Sequence, residues 1–311
     1  MHLFRVGTLI TGKCLPVSYV NFCWYNEGNM KEINVEKITA ALKDACGKIA
    51  VDYSPDILAA LKKGAGQETK ERSVAAMNML LENAEIASRD RTPICQDTGM
   101  AVVWLKVGQE VHFTGGSLQD AVQKGIAQGY TEGYLRASIV DDPLYNRKNT
   151  KTNTPAVIHT EIIEGDRVFV ELMAKGFGSE NKSMIKMLTP ADGEQGVIDF
   201  VLDTVKKAGP NACPPFIVGV GIGGSFDSVT ELSKHALMRP LSESNPDARY
   251  ASLEQRLLDE INALHIGPMG FHGNTTALKV QIEEAPTHIA GMPVAVNMCC
   301  HACRHWKGEI L

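Results

Sequence analysis

The sequence predicts a mixed α/β (α+β) fold, one large domain of long helices with mixed sheets and hairpins. Three observations carry this. The composition is ordinary for a globular chain, 44% hydrophobic and 22% charged over 311 residues, enough for one large core or two modest ones. Long helix-period runs and shorter β-rich runs both occur. The two kinds do not alternate as regular βαβ units, and no internal repeat or low-complexity tract is found.

Taken in order, Val35, Ile38, Leu42, Ala45 and Ile49 recur at helical spacing, so residues 34–49 read as an amphipathic helix. Ser54-Pro55 is a helix start with proline at the first position, and Gly64 is a stop. Residues 70–88, rich in Ala, Leu and Glu, are helical and stop before Pro93. A loop holding Cys95 follows, then a short strand over 100–107. Leu118, Val122, Ile126, Tyr130 and Tyr134 step by four and predict a helix ending near Arg136. Two β-rich runs, 156–163 and 167–173, flank Glu164-Gly165-Asp166, a hairpin signal. Asp192 is placed to cap a helix through Val197, Phe200, Val201 and Val205, which Gly209-Pro210 closes. A strand at 216–220, helices at 227–238 and 247–264, and strands at 276–283 and 292–298 complete the pass.

Composition also limits function. A net charge of −5 gives no support to binding of nucleic acid or an anionic membrane surface. No apolar run is long enough to span a bilayer. Eight cysteines in a chain this long are not a disulfide framework and suit a reducing compartment, so a cytoplasmic location is expected. Residues 3–25 are mildly apolar but interrupted by Arg5, Lys13, Pro16 and Asn21, without a signal-peptide cleavage pattern. Residues 1–29 therefore read as an N-terminal extension outside the fold, in which Cys14 and Cys23 have no role. Residues 30–311 read as the single domain.

Three cysteines stand far apart, each in a run rich in Gly, Pro or polar residues, where loops form. Cys95 lies in Thr-Pro-Ile-Cys-Gln-Asp-Thr-Gly, Cys213 in Asn-Ala-Cys-Pro-Pro, and Cys300 in Asn-Met-Cys-Cys-His-Ala-Cys-Arg. Thiolates converging from three loops can hold three irons of a 4Fe–4S cluster and leave the fourth open as a Lewis acid. Spacing alone leaves three unrelated thiols as the commoner reading. The flanking motifs shift that balance. Ile-Cys-Gln-Asp-Thr-Gly at 94–99, Lys-Gly-Phe-Gly-Ser-Glu-Asn at 175–181, Asn-Ala-Cys-Pro-Pro at 211–215 and Val-Gly-Val-Gly-Ile-Gly-Gly at 218–224 together resemble the α subunit of class I fumarate hydratase. That family is iron–sulfur dependent and oxygen-labile, and the resemblance runs from about Met30 to about Arg304. L-Tartrate dehydratase α subunits share the Cys-Gln-Asp-Thr-Gly and Asn-Ala-Cys-Pro-Pro motifs. They usually differ at the segment 175–181, which favours fumarase.

The resemblance implies a 4Fe–4S cluster held by Cys95, Cys213 and Cys300 with one open iron. It implies that Asp97 works beside that iron, as the acid for the leaving hydroxyl or in a proton relay. Arg136, Gln96 and Gly178 would hold the carboxylates of a small dicarboxylate, for which a bidentate guanidinium is well shaped. His288 stands at the family's offset before Cys300, where it pairs with the aspartate of the Cys-Gln-Asp motif and tunes its proton. The family usually has Arg-His-Pro there, and this chain has Thr-His-Ile. Cys299, Cys300 and Cys303 crowd together. The family frame of Cys, then an aromatic or His, then Ala, then one residue before Arg, selects Cys300 and leaves Cys299 and Cys303 surplus. Without the resemblance, Asp97 is turn chemistry, Arg136 a cation in the last turn of a helix, and His288 structural.

Two rival motifs are weaker. Gly219-Val-Gly-Ile-Gly-Gly224 matches a dinucleotide fingerprint, but the acidic strand end expected about 20 residues on is the loop Arg239–Pro246. Cys300-x-x-Cys303 with His301 and His305 resembles a zinc knuckle, but no second Cys/His pair stands at knuckle spacing. In single-chain class I fumarases a C-terminal domain brings further arginines, a lysine and a threonine base. The sequence ends at Leu311 soon after the third cysteine, so the expectation is a hetero-oligomer in which a β subunit completes the site. The expected function is interconversion of (S)-malate and fumarate. The alternatives are an L-tartrate dehydratase α subunit and, from another class, a non-catalytic iron–sulfur redox or sensor protein.

Overall fold

The computed structural model describes residues 30–311. The reading of residues 1–29 as an extension lies outside the described residues. In chain order the elements are β1 (Lys31–Asn34), α1 (Glu36–Val51), α2 (Pro55–Ala65), α3 (Glu71–Asp90), β2 (Met100–Gly108), β3 (Val111–Thr114), α4 (Leu118–Glu132), β4 (Val157–Ile163), β5 (Val168–Lys175) and α5 (Phe177–Glu180). Then come β6 (Met184–Leu188), α6 (Gly193–Ala208), β7 (Phe216–Gly223), α7 (Ser228–Ala236), α8 (Ala248–Asn262), β8 (Ala277–Ala285), β9 (Met292–Cys299) and β10 (His305–Ile310). The mixed α/β class is as the sequence predicts. No described helix is long and apolar enough to cross a membrane.

Two four-stranded mixed sheets, ordered β10-β5-β2-β4 and β6-β9-β7-β8, carry the architecture, and β1 and β3 form a small parallel pair. Strand β2 is buried on both faces, as a central strand covered on two sides must be. Ala101, Val103 and Leu105 meet Ile38, Leu42 and Ile49 of α1 and Val122 and Ile126 of α4. Val102 and Trp104 turn the other way, into a core shared with Ile57 and Leu61 of α2, Met77 of α3, Ile217 of β7 and Leu237. The far face of the second sheet is covered by Val197, Val201 and Val205 of α6 and Leu253, Leu257 and Ile261 of α8. Helix α7 packs on β7 so closely that a side chain at Gly219 or Gly221 would meet the Ser233 or Val229 carbonyl oxygen at 2.1 or 2.4 Å. The dinucleotide-like glycines thus admit a helix to the sheet.

Three local expectations fail. The runs around Glu164-Gly165-Asp166 are strands but not a hairpin, because β2 lies between them, antiparallel to β5 and parallel to β4. The turn instead arches over the end of β2, where the Gly108, Gln109 and Glu110 amides donate to the carbonyls of Arg167, Ile163 and Gly165. Helix α4 ends at Glu132, short of Arg136. Gly133 caps it and Tyr134 takes a left-handed φ of 52°, which ends the helix despite the continuing four-residue step. Asp192 does not cap α6. Its carboxylate accepts from the amide and hydroxyl of Thr189, closing the short turn before the helix.

A charged clasp ties the two sheets together. On α7, His235 bonds Glu171 of β5 through Nε2 (2.8 Å) and Glu283 of β8 through Nδ1 (3.0 Å), with Trp104 edge-on at 5.3 Å. Lys307 of β10 also pairs with Glu171 at 2.8 Å. Burial pulls the imidazole down, but the two carboxylates outweigh it and hold His235 at about 9. Burial pushes Glu171 up, and His235 and Lys307 outweigh that, holding it at about 2. A histidine raised in the folded state adds stability that is complete below its unfolded value of about 6.5 and lost as pH climbs through about 9. Wild type is therefore expected to lose stability between pH 6.5 and 9, and His235→Gln to lose much less. Urea melts at the two pH values measure this, and equal declines in both proteins contradict it.

Candidate functional site

Chain segments from both sheets meet at one end of the molecule. The loop that holds Cys95 leaves α3 with its start pinned: the Ile94 amide donates to Ala50 O of α1, and Asn83 Nδ2 donates to Ile94 O. Asp97 then organises two segments. Its Oδ1 accepts the Gly99 amide (3.0 Å), and its Oδ2 accepts the Phe177 amide (2.8 Å) at the start of α5. The Thr98 hydroxyl donates to the Arg136 carbonyl (3.0 Å), bringing the segment after α4 to the same loop. The buried Tyr130 hydroxyl is shared between the carbonyls of Thr98 and Gly99, and buried Asn153 donates to Gly99 O and accepts the Ser138 amide. Gly99 itself has a φ of 84°, and a Cβ there would lie 2.7 Å from the Ala174 backbone. Asp97, Arg136 and α5 are thus held together by a backbone network, with Gln96, Arg136 and Gly178 exposed on it.

The three cysteines converge. Cys213 ends a 3-10 turn in a left-handed conformation (φ 55°), and its carbonyl accepts the His301 amide at 3.3 Å. Cys300 follows β9 directly, and Cys95 and Cys300 pack with Tyr53 around Ala87, Ile94 and Ala302. Cys95 is near enough to Cys213 to bear on the Cys213 proton. Cys95, Cys213 and Cys300 are half-buried, whereas Cys46, Cys299 and Cys303 are buried. As free thiols Cys213 and Cys300 hold their protons. Burial and then Cys95 push Cys213 up, and burial and then Cys299 push Cys300 to about 12. Metal binding here would therefore release protons. Among the described residues no three His, Cys, Asp or Glu side chains close on a single-ion position. Cluster thiolates sit on separate irons and need no such closure, so three half-buried cysteines on neighbouring loops fit this kind of donor set.

His288 stands apart from this network. It lies on the exposed loop between β8 and β9, and its Nδ1 accepts the Ala290 amide. No hydrogen bond joins it to Asp97 among the described residues, and both Asp97 oxygens already accept backbone amides.

Two basic residues escaped the sequence reading. Lys175, only 1% exposed, closes the segment 175–181 onto the strand that leads to Cys300. Its Nζ donates to Met298 O (2.8 Å) and Ser179 Oγ (3.1 Å) and pairs with Glu180 (3.2 Å), which Lys234 also holds at 2.6 Å. Arg304 is 2% exposed, and its Nε and Nη1 have no hydrogen-bond partner. Its carbonyl accepts the Ala174 amide, fixing the backbone beside the start of the 175–181 segment. The only sequence signal for Arg304 was its place in the Cys-His-Ala-Cys-Arg frame. Nearby, the Tyr53 hydroxyl meets His301 Nδ1 at 3.1 Å. Burial first, then the Arg304 charge, brings His301 down to about 4, so the ring is neutral near pH 7.

Against known proteins, the chain matches the family described as Fumarate hydratase (Fumerase) over residues 39–309 and belongs to that family. It is a family of hydro-lyases. The chain is 38% identical over 274 residues, 86% of this chain and 95% of the other, to a Methanocaldococcus jannaschii protein named "Putative L(+)-tartrate dehydratase subunit alpha". It is 31% identical over 283 residues, 90% of this chain and 92% of the other, to the L(+)-tartrate dehydratase subunit alpha of Escherichia coli strain K12.

Proposed function

We propose that this chain is the cluster-bearing α subunit of a two-subunit, 4Fe–4S-dependent hydro-lyase that interconverts (S)-malate and fumarate in a reducing cytoplasm. The observation that supports the reading is that Cys95, Cys213 and Cys300, each half-buried, lie on neighbouring loops, Cys95 two residues from Asp97. Cys95, Cys213 and Cys300 would hold the cluster. When bound, it supplies a Lewis-acidic iron with a free position, which makes hydroxide a better leaving group. Asp97, fixed by two backbone amides, holds a carboxyl oxygen at a set position to give or take the proton of the departing hydroxyl. Arg136, anchored through its carbonyl to Thr98 and exposed, would use its guanidinium to clamp a carboxylate. Gln96 and the open surface at Gly178, where a Cβ would meet nothing within 4 Å, bound the remaining space. His288 would reach Asp97 only by a loop movement.

A single arginine cannot grip both ends of a dicarboxylate, so the second clamp and the C3 base belong to a β subunit. The relatives' names, each an alpha subunit, support such a partner. So do Tyr134, 93% exposed, and half-exposed Phe177, apolar residues on the two segments bonded to the Asp97 loop. Residues 30–311 would form the domain that this partner meets.

A second reading, L-tartrate dehydratase, is favoured by those same names. Anaerobic assay of the cluster-loaded chain, alone and with a β-type polypeptide, on malate, fumarate and L-tartrate separates the possibilities. The expected result is no turnover alone, and fumarate hydration faster than tartrate dehydration with the partner. Hydration at ordinary enzyme rates by the chain alone contradicts the two-subunit account, and preference for tartrate selects the second reading.

A further inference from the structure

Arg304 is a buried cation that makes no ion pair among the described residues. Nε and Nη1 lack any hydrogen-bond partner, and no carboxylate lies within ion-pair distance of it among the described residues. An unpaired buried charge is costly, so folds keep one only where something offsets it. The guanidinium faces the candidate centre. A side chain built at Gly176 would stand 3.6 Å from Arg304 Nη2 and 3.4 Å from Asp97 Oδ2, so the two groups flank one small space. Arg304 follows Cys300 on the same short loop, and its charge bears on the Cys299 and Cys300 thiols, on Tyr53 and on His301.

Asp97 lies across that space, makes no ion pair with Arg304 and has both oxygens taken by backbone amides, which leaves two anions to answer this charge, a substrate carboxylate or the thiolate-bound cluster. Burial decides between them. Arg136 is exposed, as a residue meeting an incoming substrate must be, whereas Arg304 is 2% exposed, with Nε and Nη1 fully buried. We infer that Arg304 is the counter-charge of the cluster, offsetting the negative charge of three thiolates and holding up its reduction potential. This rests on the cofactor reading above. Arg304 is a positioning residue in this account, acting on the reaction only through the centre beside it. One-electron reduction adds negative charge to the cluster, so a fixed neighbouring cation stabilises the reduced form more than the oxidised one.

The test uses the full chain as wild type, Arg304→Met and Arg304→Lys, each prepared apo and anaerobically loaded with iron and sulfide. Mediated redox titration, with dithionite as the electron donor, gives the potential, and thermal melts give stability. Arg304→Met is expected to lower the reduction equilibrium constant at least tenfold, about 59 mV for one electron. Arg304→Lys is expected to stay within about threefold of wild type, because the charge remains. Apo Arg304→Met should melt at or above apo wild type, since it removes an unpaired buried cation, while loaded Arg304→Met melts below loaded wild type. A Met variant that folds apo but takes up no cluster, beside a Lys variant that loads, also supports the inference. An unchanged potential in Arg304→Met overturns it. An apo Met variant that melts below apo wild type, or does not fold, overturns it too by making Arg304 a packing residue. A wild type that binds no iron overturns the cofactor reading and this inference together, whereas a loaded wild type with an unshifted Met variant overturns the inference alone.

Discussion

Serine at Cys95, Cys213 or Cys300 is expected to abolish cluster retention, while serine at Cys299 or Cys303 leaves most of it. Each of the first three is half-buried on its own loop, so on the proposed reading each loss would strip one iron of its only protein ligand, and a hydroxyl is a poor substitute for a thiolate. Cys299 and Cys303 are buried, and Cys303 Sγ lies 3.6 Å from His305 Nδ1. Their thiols pack with Leu237 and Met238 in the core between the sheets. Serine there should reduce stability modestly through an ill-matched buried hydroxyl, without removing a ligand. Iron and sulfide content of anaerobically prepared variants, with circular dichroism to confirm the fold, measures this. Loss of the cluster in Cys303→Ser with retention in Cys300→Ser would show that the ligand register is wrong.

Asp97→Asn is expected to lower turnover by roughly 10²–10⁴, the usual worth of a positioned acid or base. The structure adds a cost that the shape of the side chain conceals. Both carboxylate oxygens accept backbone amides, from Gly99 and Phe177, and an asparagine NH₂ cannot accept either. One amide loses its partner, so a stability loss of about 1–3 kcal/mol should accompany the loss of turnover. Cluster content close to wild type with turnover down by the stated factor supports a chemical role. Turnover within a few-fold of wild type reduces Asp97 to the residue that joins the Cys95 loop to α5.

Helical periodicity located α1, α6 and α8 within a few residues, because their apolar stripes face a sheet and little else decides them. It overran α4, since spacing reports which residues could face the core and not where Gly133 lets the chain turn out. The hairpin misreading has a similar origin. A glycine turn between two β-rich runs states that the chain reverses, but only the tertiary fold states that β2 lies in the gap. Strands β1, β3, β6 and β10 went unread because each is short and partly polar, and takes its identity from a distant partner. The site divides in the same way. That Cys95, Asp97, Cys213 and Cys300 lie in loops was legible from the turn-forming residues around them, whereas their proposed roles came from the resemblance. Lys175 was not, because its meaning is a bond to Met298 O at the far end of another sheet. Arg304 was visible as a letter in a motif, but its burial without a partner exists only in the fold.

The central claim, that this chain carries a cluster on three of its own cysteines, is tested most directly by iron and acid-labile sulfide analysis of the wild-type chain after anaerobic reconstitution. The account predicts about four irons and four sulfides per chain, with iron content falling after exposure to air because one iron lacks a protein ligand. A folded chain that takes up zinc and no iron under the same conditions contradicts it.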